Sequence, residues 1–171
     1  RSAIENARDR MGGLSAVYVD YAQLIRGQGR SRFEQMSDVA TGLKTTAGLL
    51  DVPVIGLVQI DRRIGDRDDP RPHLSDIKES GQFENDADQV VFCHRQEYWL
   101  QKRGPAVNKS GKVTTEAMAD FEADKLRYRN RMELIVRKNR HGRNATAEVG
   151  FHPPTNRIWS LKDEEEDRSF E

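Results

Sequence analysis

Two short apolar runs, LSAVYV at 14–19 and VIGLV at 54–58, flank a segment with apolar or small residues at Phe33, Met36, Ala40, Leu43, Ala47 and Leu50. Steps of three and four residues mark one stripe of an amphipathic helix, whereas the flanking runs are short and β-prone. Strand, helix and strand at this separation make a βαβ unit, which requires parallel strands and a right-handed crossover. The first strand is expected to be buried on both faces, as in parallel sheets. Each run ends in a polar residue, Asp20 and Gln59. Both are thereby predicted at the C-terminal edge of the sheet, where open α/β folds bind their ligands.

The remaining chain is organised around this unit. Residues 1–11 (RSAIENARDRM) read as the end of a polar helix stopped by Gly12-Gly13. A polar loop, GQGRSR, occupies 27–32, and a longer polar stretch with two prolines runs from 60 to 87. Connections of that length without regular structure are usually functional or mobile. A third strand is expected at Gln89 to Cys93, a flexible excursion at 104–112 (GPAVNKSGK) and a short helix at 115–127. Met132 to Arg137, Ala145 to Phe151 and Arg157 to Leu161 read as successive strands, the first two joined by the turn-like KNRHGRN. The fold class is therefore α/β, with parallel core strands flanked by helices and extended by antiparallel strands at the C-terminal end.

Charge narrows the function less than its distribution does. A chain of 171 residues suits one domain, and its formal net charge of zero removes any whole-chain argument for nucleic-acid binding. Residues 162–171 hold six acids and two bases, leaving 26 bases and 22 acids in the body. Residues 162–171 are expected to form a disordered acidic tail. Between Lys125 and Arg143 there are eight Lys or Arg and one Glu, which by itself describes a solvated basic face. The single cysteine, Cys93, sits in an apolar run and is expected to be a buried thiol. No apolar stretch reaches 18 residues and the N-terminus has no signal-peptide pattern, so a cytoplasmic chain is expected. The four histidines have no metal-ligand spacing.

An aspartate closing an apolar strand is the Walker B arrangement, in which the carboxylate helps hold magnesium, usually through water, beside nucleotide phosphates. A neighbouring glutamine can accept from an attacking water while donating to a γ-phosphate oxygen. Either residue alone is common at a strand end. Together, on one βαβ unit, they are better evidence for a nucleotide site than either alone.

Four blocks then occur in a specific order: VYVDYAQLI (17–25), PVIGLVQIDRRI (53–64), RPHLSDIKESGQFENDADQVVF (71–92) and VRKNRHGRNATAEVGF (136–151). In order and spacing they resemble DnaB-type replicative DNA helicases, over roughly 17–161. The resemblance implies that residues 1–161 form the C-terminal part of a RecA-like ATPase domain. It implies ATP and magnesium as cofactors, with Asp20 as the Walker B aspartate holding Mg²⁺ through water and Gln59 as the γ-phosphate sensor. Lys138 and Arg140 match the family's Lys-x-Arg pair, which reaches the neighbouring subunit's ATP site; on an extended strand residues i and i+2 share a face. Lys78, Glu79 and Gly81 match the DNA-facing loop of the central channel. The implied partners are single-stranded DNA, other copies of the chain in a homo-hexamer, primase and a helicase loader, with no membrane.

Departures from the family pattern are local. Val58, Asp61 and Lys78 replace commoner residues, and the 96–128 excursion is longer than usual. The phosphate loop G-x-x-x-x-G-K-[ST] is absent from these 171 residues. Gly42-Leu43-Lys44-Thr45 lies inside the predicted helix, and Gly104 with Gly111-Lys112-Val113 has six intervening residues and no hydroxyl. In DnaB-like proteins that loop and the water-activating glutamate lie upstream of the Walker B strand, so the expectation is that both precede residue 1 and that this chain alone is inactive. The alternatives are a non-catalytic RecA-like module that binds single-stranded DNA or a helicase ring, and a recombinase or clock-type ATPase; the SDIKESGQFENDAD block argues against the latter pair.

Overall fold

The hydrophobic pattern and the observed elements agree closely at the start of the chain. The computed structural model describes residues 2–77 and 81–162. Helix α1 (Ser2–Met11) ends at Gly12, whose φ of +70° suits a residue without Cβ, and the Gly13 N–H closes the turn onto the Arg8 carbonyl at 3.1 Å. Strands β1 (Val17–Val19) and β2 (Val54–Gly56) pair in parallel, Val17 opposite Val54 and Val19 opposite Gly56. Between them runs α2 (Arg32–Leu50). A capping box starts α2: the Ser31 hydroxyl accepts from the Glu34 N–H and the Glu34 carboxylate accepts from the Ser31 N–H.

The molecule divides into two compact units, one of residues 1–64 with 72–90 and the other of residues 65–71 with 91 onward. In the first, Met36, Val39 and Ala40 of α2 bury against Ala22 and against Phe83 of α3 (Gly81–Asp86), with Leu43, Val58 and Ile77 packed around them. The stripe on α2 is the predicted one except at its start, since Phe33 is exposed; burial begins one turn later, at Met36. Burial of β1 on both faces is not observed. Val17 and Val19 are half-buried but Tyr18, on the opposite face, is 77% exposed. Helix α3 falls in the stretch read as irregular, and it forms because Phe83 has a core to enter.

Hydrogen bonding orders four further strands as β3 (Gln89–His94), which enters the second unit at Val91, β4 (Arg131–Asn139), β5 (Thr146–His152) and β6 (Arg157–Ser160). β4, β5 and β6 are antiparallel, with Met132 opposite Val149 and Phe151 opposite Ile158. Gly150 lies opposite Trp159, and a Cβ there would meet the indole, which explains a glycine in mid-strand. The parallel pair and the separate four-stranded sheet realise the expected α/β class. Cys93 corrects its prediction: β3 alternates, with Phe92 and His94 buried and Cys93 on the exposed face, because a strand covered on one side sends successive residues opposite ways.

Two helices precede β4. Helix α4 (Gln96–Arg103) was not visible in the hydrophobic pattern, whereas α5 (Thr115–Tyr128) was. The stretch between them, expected to be flexible, closes into a turn around Asn108. Its side-chain oxygen accepts from the Ser110 and Lys112 N–H groups, both at 3.0 Å, and a Val107–Val113 bridge closes the base. The acidic tail beyond Lys162 lies outside the described residues. Among the described residues no helix is long and apolar enough to cross a membrane.

Candidate functional site

The edge where β1 and β2 end collects the first group of candidate residues. Asp20 follows Val19 directly, and the Asp20–Tyr21 peptide is cis. Asp20 is exposed, and its carboxylate has no hydrogen bond or ion pair among the described residues. It is thus chemically free to accept from metal-bound water. No group of three or more His, Cys, Asp or Glu able to hold a metal occurs among the described residues. One carboxylate does not make a cage, but it suits magnesium, which keeps most of its waters and relies on substrate phosphates.

Gln59 stands differently from its prediction. β2 ends at Gly56, so Gln59 lies three residues beyond the strand instead of closing it. Backbone bonds nevertheless continue past the strands: the Leu57 N–H donates to the Val19 carbonyl and the Ala22 N–H to the Leu57 carbonyl, both at 2.9 Å. Beyond them, the side-chain amide of Gln23, in a 3₁₀ turn at Ala22–Leu24, takes over. It accepts from the Gln59 N–H and donates to the Gln59 carbonyl, each at 3.3 Å. The Gln59 side chain itself is exposed and makes no hydrogen bond with the described residues. Its backbone is clasped and its amide is open.

The segment leading to residues 78–81 is anchored beside Gln59. Ile60 bridges Ile77 in antiparallel fashion, and the Asp61 N–H donates to the Asp76 carbonyl at 2.8 Å. Lys78 and Glu79 lie outside the described residues. Gly81 opens α3, whose far end is tied to α2 by Thr41 donating to Asp86 at 2.9 Å and by the Lys44–Asp88 ion pair at 2.6 Å.

Lys138 and Arg140 sit in the second unit, at the hairpin between β4 and β5. Lys138 is within β4 and half-buried; Arg140 is exposed and lies one residue past the strand, in the turn. Strand alternation therefore reaches Lys138 but not Arg140, whose direction is set by the turn. The hairpin is held by Val136 N–H to the Ala145 carbonyl at 2.8 Å and by the Asn144 amide donating to the Arg137 carbonyl at 2.9 Å.

Residues 1–160 match the family model described as DnaB-like helicase C terminal domain. The replicative DNA helicase DnaB of Rickettsia bellii is 40% identical over 146 residues, covering 82% of this chain and 29% of that protein. Its counterpart from Helicobacter pylori strain J99 is 36% identical over 162 residues, covering 86% and 33%. A solved DnaB-like replicative helicase, described with its interactions with primase, superposes with a TM-score of 0.71 at 30% identity, covering 94% of this chain and 34% of that one. This chain belongs to the DnaB-like helicase C-terminal domain family. It spans a third or less of the curated relatives' length.

Within this DnaB-like, RecA-like domain, the second unit also holds a charge cluster that motif reading passed over. Arg71 binds Glu133 of β4 through two hydrogen bonds, at 2.6 and 2.7 Å, and pairs with Asp69 at 3.2 Å. The Glu133 carboxylate raises the Arg71 guanidinium above its ordinary value against the opposing effect of burial. Burial tends to raise Asp69, but the hydrogen bonds and charge of Arg71 hold it below the usual carboxylate range. His94, 2% exposed, is pushed below the ordinary histidine value by burial, partly offset by its hydrogen bond with Gln96 at 3.0 Å. Only the sequence separation of 62 residues between Arg71 and Glu133 hid this pair. Gln23 was missed for another reason: an amide that serves a backbone carries no motif of its own.

Proposed function

We propose that this chain is part of an ATP-driven, ring-forming replicative DNA helicase, one that unwinds duplex DNA while moving along a single strand. The family match along 1–160, with Asp20 and Gln59 at one sheet edge and their side chains open, is the observation that carries this reading. ATP and Mg²⁺ are the cofactors. Asp20 would hold the ion through water; when bound, the ion neutralises charge on the β and γ phosphates. Gln59, its backbone clasped, presents an amide that accepts from the attacking water and donates to a γ-phosphate oxygen.

Lys138 and Arg140 act on the neighbouring copy's nucleotide in a homo-hexamer. A cation supplied in trans contributes about 10³ to 10⁵ in rate, so hydrolysis becomes conditional on subunit contact. Lys78, Glu79 and Gly81 face single-stranded DNA, Lys78 as a phosphate partner and Gly81 as a point of close backbone approach. Primase and a helicase loader are the further partners, and the protein works in the cytoplasm. The 171-residue chain alone neither binds ATP tightly nor hydrolyses it, because no phosphate loop lies within it.

The test is ATPase and strand-separation activity of the full-length protein. Arg140→Ala should abolish turnover while ATP binding survives. Retained turnover would remove the trans role, and absence of DNA-dependent ATPase in the unmutated protein would remove the whole reading.

A further inference from the structure

The residue proposed to sense the γ-phosphate does not sit on the sheet that is supposed to position it. The parallel pairing of β1 and β2 stops at Val19 and Gly56, and Gln59 lies three residues past it. The backbone on either side of it is tied down, Leu57 to Val19 and Ala22, and Ile60 by its bridge to Ile77. Between these ties Gln59 is held by a two-bond ring, in which the Gln23 carboxamide accepts from the Gln59 N–H and donates to the Gln59 carbonyl. A primary amide suits this double role, since it carries an acceptor oxygen and a donor nitrogen side by side in a plane. Gln23 thus holds Gln59 at a point where the parallel ladder has already ended.

Gln23 is in turn fixed. Its own carbonyl accepts from the Arg32 guanidinium at 2.7 Å, and Arg32 is the first residue of α2, directly after the Ser31 cap. Its neighbour Ala22 is fully buried in the core and donates its N–H to Leu57. The chain of support therefore runs from the capped start of α2, through Arg32 and Gln23, to the backbone of Gln59. At the far end of that chain the Gln59 amide is left without a partner among the described residues, as a group awaiting a ligand must be.

We infer that Gln23 is the positioning residue of the nucleotide site, acting only through Gln59. The inference rests on the γ-phosphate role proposed for Gln59. A displacement of about 1 Å in a reacting arrangement can cost on the order of 100-fold in rate, so loss of the clasp should lower turnover far more than affinity.

The experiment is a double-mutant cycle in the full-length protein, with steady-state ATPase measured on single-stranded DNA. Gln23→Met keeps the volume and removes both hydrogen bonds. It is expected to lower kcat by about 10- to 100-fold while KM for ATP stays within about twofold, and to have no further effect in a Gln59→Ala background. Equal losses that multiply in the double variant, or a Gln23→Met enzyme with unchanged kcat, would overturn the inference. Should Gln23→Met fail to fold, Gln23→Glu is read in the same cycle; it retains an acceptor for the Gln59 N–H and loses the donor. Full activity of Gln59→Ala alone would remove the underlying role of Gln59, and that result is distinct from failure of Gln23.

Discussion

The edge of β1 and β2 and the cluster around Glu133 use polar residues in opposite ways. At the edge, Asp20 and Gln59 are exposed and their side chains make no hydrogen bond or ion pair among the described residues, while the backbone beneath Gln59 is clasped. In the cluster, Arg71, Asp69 and Glu133 satisfy one another, with Glu133 largely covered. A polar group that the fold leaves unspent is available to a ligand. One that the fold consumes stabilises the chain. The contrast predicts that edge substitutions reduce rate and leave stability alone, and that cluster substitutions do the reverse.

The largest effect should come from Arg140→Ala in the full-length protein, a loss of about 10³-fold or more in turnover. Asp20→Ala, at the edge itself, should likewise cost turnover, with the melting temperature unchanged. A melting shift of several degrees would break the comparison on its functional side. Phe83→Ala should then cost about 3 kcal/mol in urea unfolding, since it empties the core beneath α3; an unchanged midpoint would show that α3 does not depend on that core. Glu133→Gln is expected to cost roughly 1–3 kcal/mol, between an exposed and a buried ion pair. DNA-stimulated turnover per folded molecule should be retained. Ser31→Ala, which removes the cap of α2, should cost about 1 kcal/mol.

The smallest effect concerns pH. Burial holds the folded-state pKa of His94 below its unfolded value near 6.5. Below that value the unfolded chain takes up a proton that the folded chain refuses, so stability should fall as pH drops from about 6.5 towards the lowered folded value. Above about 6.5 the contribution is complete. His94→Gln should flatten this part of the curve relative to the unsubstituted protein, whatever it does to the absolute melting temperature. An unaltered slope below pH 6.5 would mean that His94 does not titrate as its burial requires.

Much of the fold could be read directly because its signals are local. Periodicity placed α2 to within one residue of its observed start, and the parallel pairing of β1 with β2 followed from the βαβ spacing. The blocks carrying Asp20, Gln59, Lys138 and Arg140 could be read as well, since each is contiguous. What escaped was of a different kind. Helix α4 has no apolar stripe; its aromatic residues Tyr98 and Trp99 stack edge to face, and Lys102 lies over the Trp99 ring. Cys93 was misjudged because an apolar run does not say which face of a strand is covered.

The sequence alone therefore determined the βαβ unit, the order of the strands along the chain, the class of the fold and the family, since periodicity, turn chemistry and contiguous motifs act over a few residues. Tertiary structure decided how those residues are held. Gln23 and Gln59 are 36 positions apart and Arg71 and Glu133 are 62 apart. Hydrogen bonds depend on distance and direction in space, and no local pattern encodes a partner that only folding brings within reach.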